Sequence, residues 1–397
     1  MFSFIKIVFN IIYNNYKFVN VIYYITSSDL NLLNIVEITE LKKNIIDAGP
    51  ICIKFMQWYL SNNIISHNKN IDNVFEDIFD DCPKHSLEFT KQLFNKDFNK
   101  HLYNIIDIDN LEIIGSGSIG QVYKTYLING KTIAMKVKHP NINTIINNQK
   151  IIINILIYLQ KYKFIRNYLN LNFDLNGFIK DLCLQINFKN EVFNCLKLKN
   201  NFKNNDLIII PEIYYYSNNI IIYSYEEGIE FETLSIFKKQ KIGLSFYSML
   251  VKMVMYDNFI HGDLHKKNWK IRKTNNELKI ILYDFGLCYY LISNDINKDI
   301  WISFEENNSK ILLNNIDCFL NVQSNKISIN DRKELENTII RSNNKPFNEI
   351  IIDIMSFLKK KNIYANKTLF NILVTMILLQ KIFIESDLIY KGKDCII

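Results

Sequence analysis

Asp263 is followed five positions later by Asn268 in the run His261-Gly262-Asp263-Leu264-His265-Lys266-Lys267-Asn268, and Asp284 stands twenty-one positions after Asp263. These three side chains offer the hard oxygens that Mg²⁺ prefers. That ion keeps several of its waters, so one carboxylate and one amide suffice beside phosphate oxygens. Asp284 reads as the main metal ligand and Asn268 as the second. Asp263 is placed to orient, or take a proton from, an attacking hydroxyl or water. His261 reads as an anchor of the loop rather than a base. Upstream lies Gly115-Ser116-Gly117-Ser118-Ile119-Gly120, a glycine spacing that lets backbone N–H groups come close to phosphates. Ile133-Ala134-Met135-Lys136 puts a lysine near the end of an apolar strand. Alone it would be a snorkelling edge residue; in this company it reads as a partner of phosphate. It then needs an acid to hold it, and Glu191 is the choice. The chemistry is that of ATP held with Mg²⁺.

A glycine string is weak evidence by itself, because a dinucleotide-binding loop uses the same spacing. That loop opens a helix after a strand. Here the glycines follow a strand at 112–114 and precede a strand at 122–128, the turn Asn129-Gly130 and a third strand at 131–137. Asn and Gly both accept positive φ, so the hairpin signal is strong. The pattern is the covering hairpin of a kinase-like small lobe. Gly115, Ser116, Gly117, Ser118, Gly120, Val122, Ala134 and Lys136 are expected to contact the nucleotide, as are Ser224 and Tyr225 at the end of a strand at 220–225. Segments 148–163 and 175–198 read as helices, the second carrying Glu191, and 208–215 as a strand. Residues 244–256 read as a helix leading into the Asp263 loop, and 280–283 as a strand before Asp284-Phe285-Gly286. Toward the N-terminus, 41–46, 50–60 and 87–94 read as helices, the last opened by Ser86 as an N-cap, with 66–72 as a loop. Three or four helices follow residue 295. The expected fold is α+β and bilobal, protein-kinase-like, with an N-terminal helical extension packed on the nucleotide cleft. The expected parts are the extension at 1–105, a small lobe with inserted helices at 106–230 and a helical large lobe at 231–397. The hairpin should lie over a cleft floored by Asp263, Asn268 and Asp284.

Composition narrows the partners. A formal net charge of +7 on 47 basic and 40 acidic residues is a mild excess. It fits ATP or an anionic membrane surface and does not suggest nucleic acid. Seven cysteines occur with no C-x-x-C, and only Cys82 and His85 have ligand-like spacing. They read as reduced thiols of an intracellular protein, without a zinc site. The first 25 residues are apolar and aromatic, but Lys6, Asn10, Asn14, Asn15 and Lys17 interrupt them. No clean spanning run or cleavage site is found there. A helix packed on the domain and a membrane-surface or targeting helix both remain open. A second apolar run, 369–384, reads as a buried helix.

With these residues in view, the chain resembles the UbiB-type atypical kinases, the group that includes the coenzyme Q biosynthesis kinases. The string His261-Gly262-Asp263-Leu264-His265-Lys266-Lys267-Asn268 resembles that family's H-x-D-x-H-x-x-N loop, with His265 where ordinary protein kinases carry Lys. Ala48-Gly49-Pro50-Ile51-Cys52-Ile53-Lys54-Phe55-Met56-Gln57 is similar to its L-G-P-x-x-I-K-x-G-Q segment, and Ser118-Ile119-Gly120-Gln121-Val122-Tyr123 to its S-I-G-Q-V-H. The separation of 55 positions from Lys136 to Glu191 fits its inserted helices. The resemblance spans roughly residues 35–300. It implies that Lys54 and Gln57 contribute to the nucleotide site, and that the protein is an ATPase or small-molecule kinase. It further implies isoprenoid-quinone lipid metabolism at a membrane, mitochondrial in a eukaryote. Three departures stand out: Met56 replaces the family's Gly, Gly115-Ser116-Gly117 replaces its alanine-rich loop, and Gln185 and Asn187 replace its acidic E-x-D. A nucleotide-binding pseudokinase or scaffold is the alternative, and a protein kinase acting in trans a weaker third reading. No A-P-E-type segment follows Asp284-Phe285-Gly286.

Overall fold

The structure is a computed structural model. It describes residues 16–27, 32–62, 69–75, 82–103, 106–162, 164, 175–274, 277–291, 298–299, 301–303, 306, 328–341, 347–361, 367–391 and 394–396. The chain forms two compact units. The first is Met1–Phe193 with Glu212–Tyr225, and the second Asn194–Pro211 with Glu226–Ile397. Strands and helices combine in a kinase-like α+β fold, as expected.

The first unit begins with helices α1 (Tyr16–Ser27), α2 (Ile35–Ala48), α3 (Pro50–Asn62), α4 (Lys69–Phe75) and α5 (Leu87–Tyr103). Asn34 starts α2 with a capping box: its Oδ1 accepts from the N–H groups of Val36 and Glu37, while Glu37 Oε2 accepts from Asn34 N–H. Ile38, Leu41, Ile45 and Ala48 then recur at helical spacing and are all buried. The expected loop at 66–72 is corrected in part, because Lys69–Phe75 is helical; Ile71 and Phe75, one turn apart, are buried in the same apolar cluster. Ser86 does cap α5, its Oγ accepting from Phe89 N–H.

Five antiparallel strands follow, β1 (Glu112–Ser116), β2 (Gly120–Tyr126), β3 (Thr132–Lys138), and later β5 (Ile213–Tyr216) and β6 (Ile220–Ser224), in the order β1-β2-β3-β6-β5. The β2–β3 turn is the expected one. Gly130 has φ +84° and Asn129 Oδ1 accepts from Lys131 N–H. Alternation sorts β3 into two faces. Ile133, Met135 and Val137 join Tyr123, Ile220, Ile222, Phe94, Ile106 and Ile108 in one core. Lys136 pairs with Val122 and Ile221, and Ala134 with Tyr223, so these residues share the opposite face.

Between β3 and β5 run helices α6 (Ile142–Leu159), α7 (Leu175–Ile186) and α8 (Phe188–Asn201). The continuous helix expected over 175–198 is broken at Asn187. Asn187 Oδ1 accepts from Lys189 N–H and its carbonyl from Asn190 and Glu191 N–H, which starts a new helix. Helices α1 to α4, α6 and α7 share one cluster in which Phe55 meets Phe178 edge-on at 5.4 Å.

The second unit contains β4 (Ile208–Ile209). The single strand expected over 208–215 is split, with Pro211 in the gap; proline has no N–H to give a ladder. β4 runs parallel to β9 (Leu278–Leu282), which pairs antiparallel with β8 (Trp269–Lys273). Helix α9 (Ile236–Val251) widens into a π turn, Lys252–Tyr256, and leads to β7 (Phe259–His261), which pairs with β10 (Cys288–Tyr290). Trp269 is fully buried, with Phe231 and Phe246 against its ring. Helices α10 (Ile329–Arg341), α11 (Phe347–Lys361) and α12 (Lys367–Glu385) and the hairpin β11 (Ile389–Lys391)–β12 (Asp394–Ile396) complete the described residues. None of the described helices is long and apolar enough to cross a membrane. Residues 1–15 of the apolar N-terminus lie outside the described residues. The part at Tyr16–Ser27 buries Phe18, Val21, Ile22 and Ile25 in the helical cluster.

Candidate functional site

In the first unit the β3 lysine meets the acid expected for it. Lys136 Nζ lies 2.9 Å from both carboxylate oxygens of Glu191. Breaking the helix at Asn187 places Glu191 in the first turn of α8, where the positive end of the helix favours a carboxylate. Glu191 is 1% exposed, and Tyr223 O–H donates to its Oε1 at 2.7 Å. A buried charge is tolerable when it is paired and hydrogen-bonded, as here.

The glycine turn is held from both sides. Gly117 N–H donates to Gly120 O at 2.9 Å. A Cβ on Gly120 would stand 2.6 Å from Val137 O, so β2 and β3 close there only around glycine. Gly115 has open space where a Cβ would be. Ser116 is buried and donates to Pro83 O, whereas the buried Oγ of Ser118 has no hydrogen-bond partner among the described residues.

A string of polar groups ends on this turn. Gln121 Nε2 donates to Tyr123 OH, Tyr123 OH is 2.7 Å from Thr90 Oγ1, and Thr90 Oγ1 is 2.9 Å from His85 Nε2. His85 Nδ1 is 2.8 Å from His139 Nδ1, and His139 Nε2 is 2.9 Å from Gly117 O. A carbonyl only accepts, so His139 carries its proton on Nε2. With both rings neutral, His139 Nδ1 accepts from His85 Nδ1–H, His85 Nε2 accepts from Thr90, and Thr90 accepts from Tyr123. Burial keeps both histidines neutral: it pushes His85 down to about 4, helped by the neighbouring His139, and lowers His139 against the pull of its bond to Gly117. In the sequence His85 stood out only for its spacing to Cys82, and His139 did not stand out at all. The available signal was His139 directly after the β3 lysine strand.

In the second unit the run 261–268 is fixed by its own backbone. His261 is buried; its Nε2–H donates to Tyr283 O at 3.0 Å and its Nδ1 accepts from Asp263 N–H. Burial lowers its pKa, and both nitrogens are occupied, so it anchors the loop. Asn268 Nδ2 donates to Asp263 O at 2.8 Å, which leaves the amide oxygen as the end able to meet a cation. Tyr283 N–H donates to Asn268 O, tying the loop to the residue before Asp284. Asp284 is exposed and has φ +50°, a left-handed conformation that costs of order 1 kcal/mol and that aspartate tolerates better than most. Its Oδ1 accepts from Gly286 N–H, and Asn194 Nδ2 donates to Phe285 O. Lys266 bridges Glu232 and Glu385, joining the loop to the end of α12. The Asp284 carboxylate and the Asn268 amide oxygen are hard donors of the kind Mg²⁺ takes.

The remaining expected residues are distributed as follows. Val122 and Ala134 lie on the Lys136 face of the sheet. Ser224 pairs with Ile133 on the core-facing side, and its Oγ accepts from Glu212 N–H. Tyr225 N–H donates to Thr132 O, and Lys124 Nζ lies 4.7 Å from the Tyr225 ring centre. Lys54 and Gln57 are both on α3, Lys54 half-buried and Gln57 buried. Met56 is fully buried in the helical cluster, which absorbs the bulk that replaces glycine. Sequence reasoning missed Tyr223, Asn194 and His139, and noted His85 only for its spacing to Cys82; all four act on backbone or on another side chain.

Comparison with known proteins gives this geometry a setting. The family model described as the ABC1 atypical kinase-like domain matches residues 77–315. Among curated proteins, the chain is 30% identical to a probable serine/threonine-protein kinase, abkC, of Dictyostelium discoideum, over 58% of this chain and 34% of that protein. It is 27% identical to the AarF domain-containing kinase 1 of Drosophila melanogaster, over 52% of this chain and 41% of that one. It is also 27% identical to a probable protein kinase UbiB of Blochmanniella pennsylvanica, over 63% and 49%. The chain thus matches between a third and a half of the length of these relatives. Among solved structures, Rv3197 of Mycobacterium tuberculosis, determined with erythromycin, superposes with a TM-score of 0.52 at 14% identity, over 77% of this chain and 80% of that one.

Proposed function

This chain belongs to the ABC1 atypical kinase-like family, and from that premise we propose that it binds ATP with Mg²⁺ and transfers or hydrolyses the terminal phosphoryl group. The observation that carries the reading is the Lys136–Glu191 pair, made by both carboxylate oxygens and braced by Tyr223. In the first unit, Lys136 would meet the nucleotide phosphates while Glu191 fixes its direction. Gly115, Ser116, Gly117, Ser118 and Gly120 would lay backbone N–H groups over them. Val122, Ala134, Ser224 and Tyr225 would border the nucleotide, and Lys54 and Gln57 would reach it from α3. In the second unit, Asn268 and Asp284 would hold Mg²⁺, which when bound neutralises charge on the phosphates. Asp263 would orient the acceptor hydroxyl or water and take its proton.

The acceptor we propose is an isoprenoid or other lipid-borne small molecule met at a membrane surface, as the resemblance to the UbiB-type kinases implies. A second reading, a nucleotide-binding pseudokinase or scaffold, is favoured by Asn187, which takes an acidic position of the resembling family and is spent here on starting α8. ATP turnover measured with Mg²⁺ and with EDTA, with and without lipid vesicles, separates the two. Under the active reading, turnover needs Mg²⁺ and falls by about a hundredfold or more in Asp284→Asn, since charge stabilisation of the moving phosphoryl group is lost. Nucleotide binding of equal strength in EDTA, without turnover, would assign the protein to the pseudokinase class.

A further inference from the structure

β3 carries a second lysine, Lys138, two positions beyond Lys136 and therefore on the same face of the sheet. It pairs with Gly120, the last glycine of the turn. Both ammonium groups lie over the ring of Phe188, Lys136 at 5.5 Å and Lys138 at 4.8 Å from its centre. Their situations differ. Lys136 is matched by Glu191, whereas Lys138, 5% exposed, has no carboxylate within ion-pair distance among the described residues. The carboxylates that act on it from farther away are already engaged: Glu191 by Lys136 and Tyr223, and Asp97 by Ser217 and Asn219. A buried cation without a counter-ion is costly. Burial pushes the Lys138 ammonium down to about 8, with Glu191 and Asp97 pulling upward and Lys136 downward. A second observation on the same turn also points to a missing anion: the buried Ser118 Oγ has no partner among the described residues.

We propose that Lys138 is a second phosphate-binding residue, supplying the unmatched positive charge for the polyphosphate of the nucleotide under the glycine turn. This rests on the ATP-binding reading above. Lys136, neutralised by Glu191, gives direction; Lys138 gives net charge, so the site gains more from each added phosphate than from the nucleoside.

The test is calorimetric binding of MgATP, MgADP and adenosine to the full chain and to Lys138→Met, with Lys138→Gln as a second variant should the first not fold. Loss of a charge-assisted contact predicts MgATP affinity lower by about tenfold or more, a smaller loss for MgADP, unchanged adenosine affinity, and a ligand-free melting temperature no lower than the parent's. Lys138→Arg should keep most of the affinity. Unchanged MgATP affinity in the Met and Gln variants, with a parent that binds, overturns the inference and leaves the ATP reading standing. Equal losses for MgATP and adenosine with a lower ligand-free melting temperature also overturn it, in favour of packing on Phe188. A parent chain that binds no MgATP ends the ATP reading itself.

Discussion

Glu191 accepts three hydrogen bonds while almost wholly buried, from Lys136 to both oxygens and from Tyr223 to one. Truncating it leaves Lys136 without its counter-ion. Glu191→Ala should cost about 3 kcal/mol of stability, the size typical of a broken buried pair; an unchanged midpoint in chemical denaturation would show that the pair is solvated. The histidines make a separate prediction. Both bind fewer protons folded than unfolded, because their pKa values lie below the ordinary value of about 6.5. Stability therefore rises with pH where the unfolded chain holds the extra protons. Lowering the pH from 7.5 should leave stability intact until about 6.5 and then erode it, with the His85 contribution gone below about 4. His85→Gln should flatten that slope in melting temperature against pH; an unaltered slope would place the proton uptake elsewhere.

At the scale of elements, the glycine hairpin was legible because each part has a local cause. Asn129-Gly130 sets the turn, and alternation sets the faces. The order of glycine turn, lysine strand, Asp263 loop and Asp284 was legible for the same reason. The break at Asn187 was not, since apolar spacing continues across it and only the side-chain cap reveals a new start. The break decides where Glu191 sits in its helix. Asn187→Ala should remove that cap at a cost of about 1 kcal/mol and weaken Lys136-dependent nucleotide binding along with it. If denaturation shows the loss while MgATP affinity stays put, α8 holds Glu191 without its cap. The split between β4 and β5 had a local cue in Pro211 that the strand reading passed over, whereas the pairing of Ile208 with Ile280, 72 positions along the chain, had none. No local pattern carries a pairing of that range. The polar string from Gln121 to Gly117 was illegible for a related reason: His85, Thr90, Tyr123 and His139 come from separate elements and share no spacing.

Across the whole molecule, the N-terminal helices are part of one core with helices that follow the sheet strand β3. Phe18, Ile38, Ile45, Phe55 and Met56 share a cluster with Ile142, Ile153, Phe178 and Leu182. A chain beginning at residue 101 should thus expose apolar faces of α6 and α7 and bind a hydrophobic dye or aggregate; a monomeric product with native near-UV dichroism would contradict the shared core. The order of the sheet has a further consequence for how the protein is made. β6 lies between β3 and β5, yet residues 194–211 of the other unit are synthesised before it. A nascent chain that has not yet extruded residues 220–224 holds β1, β2 and β3 with the inner edge of β3 bare. An open edge of that kind invites pairing with a neighbour on the same polysome. That edge of β3 stays open during translation until Ile220–Ser224 emerges and closes the ladder.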